Sequence, residues 1–287
     1  MGGLRPSANG TLVTLEPGGK GPPFFCVPTW SADLHHYRLL SVHLGRDIPF
    51  HALCWPGAGG EAEPFDSIER LAAHHVTQIL EVDATGPYFL GGASAGGTVA
   101  WEIARQLHDR GKRVAFLALI DAYYRGHERY LPDKRPGRGR LDALLARVDY
   151  HLGSLVTRDR RAQRDYLASL FAGRLPSLLG ARRAAEPPSP AMERLREATQ
   201  RALIAYVPPA YPGKATLFFA SGEPIRPFRD PRFTWSALAG RGLEIHVLDG
   251  EHETVLEEPG VAAAANKLRA AILRAREEST QPASVRA

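Results

Sequence analysis

Short apolar runs alternate with helical patterns along most of this chain, and the alternation constrains the fold more than any other feature. The runs with the length and composition of buried strands are Phe24 to Val27, Phe50 to Cys54, Tyr88 to Leu90, Val114 to Ile120, Ala215 to Ala220 and Leu243 to Leu248. The helical patterns are Leu34 to Leu44, Ile68 to Val82, Thr98 to Leu107, Ala191 to Tyr206 and Val261 to Arg276. This order predicts an α/β fold, with a mostly parallel sheet covered by helices on both faces.

The alternation is interrupted between residues 123 and 187. This interval has no convincing strand, but Leu141 to Leu155 and Gln163 to Leu175 have helical spacing. A cluster of prolines ends the interval and separates it from the next helical pattern. We therefore predict a helical insertion at residues 123–187.

The insertion divides the predicted core into two parts, residues 24–122 and residues 188–278. Residues 1–23 are rich in glycine and proline, which is typical of a linker with at most one short leading strand near Leu12 to Leu15. Residues 279–287 are expected to form a disordered tail.

Composition excludes several classes of protein. The hydrophobic fraction of 44% in 287 residues is ordinary for a packed globular protein. No apolar run approaches the roughly 20 residues that span a bilayer, and the first residues lack a signal-peptide core, so we expect a cytoplasmic protein with no membrane partner. Cys26 and Cys54 are expected to be buried free thiols. The histidine pairs at 35–36 and 74–75 have no convincing ligand set, so we expect no metal and no cofactor.

The net charge of +5 is unevenly distributed, because basic residues clearly outnumber acidic ones between Lys134 and Arg183. One interpretation is a solvated helical surface, and another is a landing site for an acidic partner or a phosphate. No recognised nucleic-acid module and no interleaved aromatic platform accompanies the charge, so we expect no nucleic-acid partner.

The run Gly91 to Gly97 contains the pattern G-x-S-x-G, with Ser94 at its centre. It follows an apolar strand and precedes a helical pattern, which is the context of a serine nucleophile on a strand-to-helix turn. Glycines on either side of the serine allow the backbone to turn tightly. The helix dipole and the N–H of Ala95 would both favour a developing negative charge at this position.

A serine nucleophile needs an imidazole base and an acid that orients the imidazole. His252 lies in a polar turn after the last strand, where a functional loop is expected in a sheet of this kind. The acid is Asp121 or Glu223, since each ends a predicted strand, and Asp121 is favoured because its strand should lie beside that of Ser94. An insertion that follows the strand of the acid is well positioned to cover the site as a lid.

The oxyanion hole of such a site needs a second backbone N–H besides that of Ala95. This donor normally comes from the loop after the first core strand, which here begins at Pro28. Proline has no N–H, so Thr29 and Trp30 are the candidate donors, and the sequence does not decide between them.

Together these residues resemble the type I thioesterase domain that terminates nonribosomal peptide synthetases and polyketide synthases. The segments that carry the resemblance are Leu15 to Gly19, Pro22 to Pro28, Gly86 to Gly97, Ala100 to Ala104, Leu119 to Asp121, Gly250 to His252 and Glu258 to Pro259. The resemblance implies an α/β-hydrolase fold, a Ser94, His252 and Asp121 triad, and a helical lid. One departure is the loop after Pro28, which lacks the glycines common in the family, so a bulky Trp30 would narrow the acyl channel or cover the oxyanion hole.

The resemblance also implies a partner and a reaction. The substrate would be an acyl chain carried on the phosphopantetheine of an acyl or peptidyl carrier protein, released by hydrolysis or cyclisation. The stretch from Lys134 to Arg183 would meet the acidic surface of that carrier. The absence of a long leading helix favours a monomer. Ala93 and Asp121 favour a product-releasing domain; the alternatives are a stand-alone editing thioesterase, a small-substrate esterase and a non-catalytic binding scaffold.

Overall fold

The computed structural model describes residues 5–6, 11–29, 34–57, 60, 62–123, 189–221, 231–252 and 254–281. The strands of this part of the chain are β1 (Arg5–Pro6), β2 (Leu12–Glu16), β3 (Phe24–Val27), β4 (Phe50–Leu53), β5 (Tyr88–Ala93), β6 (Val114–Ile120), β7 (Ala215–Ala220) and β8 (Leu243–Leu248). The helices are α1 (His35–Leu44), α2 (Ile68–Val82), α3 (Ala95–Asp109), α4 (Pro190–Ala205), α5 (Pro231–Leu238) and α6 (Gly260–Thr280).

The eight strands form one sheet in the order β1-β2-β4-β3-β5-β6-β7-β8. Strands β3 to β8 are parallel to one another, whereas β2 pairs with β4 in the antiparallel direction and β1 pairs with β2 in the antiparallel direction at the edge. This confirms the mostly parallel sheet predicted from the sequence. Because β5 lies at the centre with β3 on one side and β6 on the other, the segments that follow these three strands meet at one edge of the sheet.

Helices cover both faces of the sheet, as predicted. Helices α2, α3, α4 and α5 pack on one face, and α1 and α6 pack on the other. Each face therefore has its own hydrophobic core: the first lies under α2 to α5 and the second under α1 and α6. Trp101 and Trp235 are fully buried in the first core, with ring centroids 4.8 Å apart. In the second core Phe24 packs edge-on against Phe50, at a centroid distance of 5.4 Å. Each such side chain contributes roughly 2–3 kcal/mol through the apolar area it buries.

Helix α3, which begins directly after Ser94, is fixed by a buried carboxylate. Glu102 is fully buried and accepts hydrogen bonds from Arg105 at 2.6 and 2.8 Å, from Gln106 at 2.9 Å and from the Tyr206 hydroxyl at 2.8 Å. Burial raises the pKa of this carboxyl, but the hydrogen bonds outweigh burial and leave the pKa below its ordinary value. Because Tyr206 follows α4, the network joins α3 to the segment that returns the chain to the sheet.

Several details differ from the sequence predictions. The leading segment contains two strands rather than one, since β1 pairs with β2. Helix α6 continues through Thr280, two residues into the predicted tail. Strand β4 ends at Leu53, so Cys54 lies just beyond the strand and is only partly buried. Helix α5 was missed because it has only eight residues, about two turns, which is shorter than the window over which helical periodicity is recognised.

The predicted insertion falls almost entirely outside the described residues. Its two helical patterns, at 141–155 and 163–175, and the basic stretch from Lys134 to Arg183 are among the residues that the structure leaves undescribed. Over the described ranges, none of the helices is both long enough and apolar enough to cross a membrane.

Candidate active site

Ser94 lies at the turn between β5 and α3, in a backbone conformation that a serine rarely adopts. Its φ is 53° and its ψ is −122°. The N–H of Ser94 donates to the carbonyl oxygen of Ile120 at 2.9 Å, and the N–H of Gly97 donates to the carbonyl oxygen of Ser94 at 3.0 Å. The turn is therefore tied to the end of β6 and to the first turn of α3, which hold the strained serine in place.

The glycines around Ser94 are required by close backbone contacts. A Cβ on Gly92 would overlap the carbonyl oxygen of Gly96, and a Cβ on Gly96 would overlap that of Val27. A Cβ on Gly96 would also lie 2.6 Å from the carbonyl oxygen of Pro28. Backbone atoms cannot yield as a flexible side chain can, so the G-x-S-x-G pattern is needed here for packing as well as for the turn.

Gly96→Ala is expected to destabilise the fold by about 2 kcal/mol or more, since the new methyl group must displace the backbone of Val27, at the end of β3, and of Pro28, which follows it. The control is Gly260→Ala, where an added Cβ would make ordinary contacts of 3.4 and 3.5 Å with the carbonyl oxygens of Thr254 and Val255. Urea unfolding of both variants measures the free energy of unfolding. Equal stabilities of the two variants would contradict the packing argument.

Three side chains from distant parts of the sequence meet beside this turn. His252 lies between β8 and α6, and its Nε2 is 3.1 Å from the Oγ of Ser94. Its Nδ1 is 2.5 Å from the Oδ2 of Asp121, which directly follows β6. The distances fit an imidazole that is oriented by a carboxylate on one nitrogen and can accept the serine proton on the other.

Asp121 is 1% exposed, and each oxygen of its carboxylate has a partner. Oδ1 accepts the N–H of Ala220 at 3.0 Å and the hydroxyl of Tyr123 at 3.3 Å, which leaves Oδ2 for His252. The backbone of Asp121 has a φ of 43° and its N–H donates to the carbonyl oxygen of Phe218 at 2.7 Å. Hydrogen bonds from the neighbouring strand β7 therefore hold the acid in a strained position that faces the imidazole.

Tyr123 is a site residue that the sequence analysis missed. Besides its hydrogen bond to Asp121, its ring lies edge-on to the ring of His252, with centroids 5.4 Å apart and planes inclined by 67°. The only signal for it in the sequence is its position two residues after the acid.

Of the three predicted oxyanion donors, the structure describes Ala95 and Thr29, and their N–H groups differ in environment. Ala95 is the first residue of α3, where backbone N–H groups have no partner within the helix. The N–H of Thr29 donates to the hydroxyl of Tyr37 at 2.9 Å. Trp30, the other candidate donor, and Glu223, the alternative acid, lie outside the described residues.

The cysteines and paired histidines lie outside this group of side chains. Cys26 and Cys54 are free thiols, and burial raises the pKa of Cys54 to about 12. His75 is buried, which lowers its pKa to about 3, and its Nδ1 contacts the Oε1 of Gln78 at 3.1 Å. Within the described part of the chain, no three His, Cys, Asp or Glu residues are grouped as metal ligands.

Comparison with known families identifies the class of protein. The model of the thioesterase domain family matches residues 22–271, which is most of the chain. The chain therefore belongs to the thioesterase domain family.

Its relatives include much longer synthases. The chain is 35% identical over 155 residues, 53% of its length, to a dimodular nonribosomal peptide synthase of Bacillus subtilis (strain 168). It is 27% identical over 281 residues, 90% of its length, to the chondramide synthase cmdD of Chondromyces crocatus. It spans only 6% and 7% of the lengths of these two relatives.

Solved structures share its fold. The NocB thioesterase domain, solved in covalent complex with a fluorophosphonate nocardicin G analog, is 24% identical with a TM-score of 0.63, and the match covers 91% of this chain and 99% of the other. The RedJ thioesterase of the prodiginine pathway of Streptomyces coelicolor is 20% identical with a TM-score of 0.60, covering 89% of this chain and 92% of the other. These matches confirm the α/β-hydrolase fold.

Proposed function

We propose that this chain is a serine thioesterase that releases a polyketide or peptide acyl chain from the phosphopantetheine of an acyl or peptidyl carrier protein. Ser94 is the nucleophile, His252 the general base and Asp121 the orienting acid. The observation that carries the proposal is the continuous path from the Oγ of Ser94 to His252 at 3.1 Å and from His252 to Asp121 at 2.5 Å. A serine, an imidazole and a carboxylate in this order form the arrangement used for acyl transfer on several unrelated folds.

Acylation begins when the Oγ of Ser94 attacks the thioester carbonyl carbon and His252 Nε2 takes the serine proton. The carbonyl electrons move to oxygen, which gives a tetrahedral oxyanion. When this intermediate collapses, the carbon–sulfur bond breaks and His252 returns its proton to the departing thiol. The acyl chain is then esterified to Ser94, and the pantetheine thiol is free.

Deacylation repeats the same steps with a different nucleophile. His252 takes a proton from water, or from a hydroxyl or amine of the acyl chain itself, and that nucleophile attacks the ester carbon. Collapse breaks the bond to Ser94, and His252 returns the proton to Oγ. Water gives a free acid, an internal hydroxyl gives a lactone and an internal amine gives a lactam.

The oxyanion needs fixed donors that are already in place before charge develops. We assign the N–H of Ala95 as one donor, because it begins α3 and lies at the positive end of that helix. The second donor belongs to the loop after β3, as in the sequence-based expectation. Asp121 orients the ring of His252 through its contact with Nδ1 and stabilises the imidazolium that forms at each proton transfer.

The carrier protein is supported by the relatives rather than by a contact in the structure. Several of them are described as nonribosomal peptide or polyketide synthases, and the chain matches only a small part of their length. A domain of this size in a synthase would receive its substrate on a carrier of the same assembly line.

The test compares one acyl group presented on a loaded carrier protein, on free pantetheine and on a simple oxygen ester. We expect a higher kcat/KM on the carrier than on free pantetheine, and the lowest value on the oxygen ester, because carrier contacts supply binding energy. Equal values on carrier and pantetheine would favour an enzyme for diffusible thioesters. A preference for the oxygen ester would favour an esterase.

A further inference from the structure

The peptide group between Pro28 and Thr29 is held from both sides. Its carbonyl oxygen, on Pro28, accepts the indole N–H of Trp55 at 2.9 Å. Its N–H, on Thr29, donates to the hydroxyl of Tyr37 at 2.9 Å. Tyr37 is 1% exposed and Trp55 is 4% exposed, so water competes little for either hydrogen bond.

The two residues that hold this peptide come from different elements. Tyr37 is in α1, the helix that follows the loop, and Trp55 lies two residues after β4, the strand beside β3. Both side chains belong to the hydrophobic core, on opposite faces of the sheet. The peptide is therefore fixed relative to the sheet itself and not only to the residues next to it in the loop.

The held peptide also lies against the first turn of α3. A Cβ on Gly96 would meet the carbonyl oxygens of Val27 and Pro28, so the backbones of the loop and the helix are in direct contact. The N–H of Ala95 belongs to the same turn. A shift of the Pro28 to Thr29 peptide would therefore change the position of the loop relative to that donor.

The hydroxyl of Tyr37 is suited to a permanent hydrogen bond. It is also hydrogen-bonded to the side chain of Thr29, and burial raises the pKa of the phenol well above its ordinary value. The raised pKa favours the neutral hydroxyl, whose oxygen accepts the N–H of Thr29.

We propose that Tyr37 and Trp55 are positioning residues of the oxyanion hole, which fix the start of the loop after β3 beside the first turn of α3 by holding the two ends of the peptide group between Pro28 and Thr29. The N–H of Thr29 is used for this purpose and does not serve the substrate. This inference rests on the proposed function, since it concerns the loop that would complete the oxyanion hole beside Ser94.

The test uses Tyr37→Phe and Trp55→Phe, which keep an aromatic ring and remove one hydrogen-bonding group each. The control is Tyr88→Phe, because Tyr88 is equally buried at 1% exposed and its hydroxyl donates to the carbonyl oxygen of Asp83 at 3.0 Å, at the far end of β5. Each variant is assayed for kcat and KM on an acyl-pantetheine thioester and for the affinity of a boronic acid that forms a reversible tetrahedral adduct with serine. Thermal unfolding is followed in parallel.

We expect Tyr37→Phe to lower both kcat and the affinity for the boronic acid by about tenfold, with KM within about twofold. Misplaced oxyanion-hole donors would stabilise the tetrahedral state less well, but they would leave the binding of the substrate itself almost unchanged. Trp55→Phe should have a similar effect. The double variant should be little worse than either single variant, because both side chains hold the same peptide. Tyr88→Phe should change unfolding but neither kinetic value.

Three results would overturn the inference. If the Thr29 N–H served the substrate in competition with Tyr37, then Tyr37→Phe would bind the boronic acid more tightly than the wild type. If Tyr37→Phe and Trp55→Phe changed kcat and the boronic-acid affinity no more than Tyr88→Phe does, their role would be an ordinary structural one. If the losses in the double variant were the full sum of those in the single variants, the two side chains would not act through the same peptide. Each of these results leaves the proposed function intact as long as the wild-type enzyme turns over, whereas a wild type without turnover would contradict the function itself.

Discussion

Ser94→Ala is expected to abolish thioester turnover, with kcat reduced by on the order of 10⁴-fold or more. In the proposed mechanism this variant loses the atom that forms the acyl intermediate, and His252 has no serine proton to accept. Residual catalysis would come only from substrate binding and the oxyanion donors. The rate of thiol release from acyl-pantetheine, measured with a chromogenic thiol reagent, gives kcat directly.

The matched control is Ser67→Ala. Ser67 caps α2 by accepting the N–H of Arg70 at 3.3 Å and lies outside the group of side chains around Ser94. Its loss is expected to cost about 1 kcal/mol of stability and to leave kcat unchanged. Wild-type rates in Ser94→Ala would remove the nucleophile from the mechanism and favour a binding scaffold.

Asp121→Asn is expected to reduce kcat by about 10⁴-fold while the protein stays folded. The carboxylate accepts the Nδ1–H of His252, but an asparagine in its place can present an amide N–H to Nδ1. This would favour the tautomer that carries its proton on Nε2, which cannot accept the proton of Ser94. The same thiol-release assay measures the loss, with circular dichroism as the check on folding.

Two further variants make this prediction specific. Asp83→Asn alters another loop aspartate, which accepts the N–H groups of Thr85 at 2.9 Å and Gly86 at 3.0 Å in a turn before β5, and should leave kcat unchanged. Glu223→Gln tests the alternative acid that the sequence offered. A large loss in Glu223→Gln with little loss in Asp121→Asn would reverse the assignment.

The main elements of the fold could be predicted because their patterns are local. The apolar run at Val114 to Ile120 is β6 residue for residue, and the periodic segment Ile68 to Val82 is α2. Ser94 and His252 were recognisable for a related reason, since each follows a predicted strand in a segment where the apolar pattern stops. Parallel strands place such segments at the same edge of the sheet, so their meeting followed from the order of elements.

The residues that were missed act through contacts between distant parts of the chain. Tyr37 and Trp55 look like ordinary core aromatics in the sequence, and only the folded chain shows that both reach the peptide after Pro28. Trp235 was missed for the same reason, since its indole N–H donates to the carbonyl oxygen of Ala122 at 2.9 Å, beside the acid. The role of a buried polar group depends on which hydrogen-bond partner it meets in the folded chain. The apolar periodicity of the sequence does not show where that partner lies.

The central claim, that Ser94 is the activated nucleophile of this site, is tested most directly by intact-protein mass spectrometry after reaction with a fluorophosphonate. Such a reagent forms a stable adduct with an activated serine, so the result does not depend on how fast an acyl intermediate is hydrolysed. We predict one adduct per chain, mapped to the peptide that contains Ser94, and none in Ser94→Ala or His252→Ala. An unmodified wild-type protein, or an adduct on any other residue, would contradict the account.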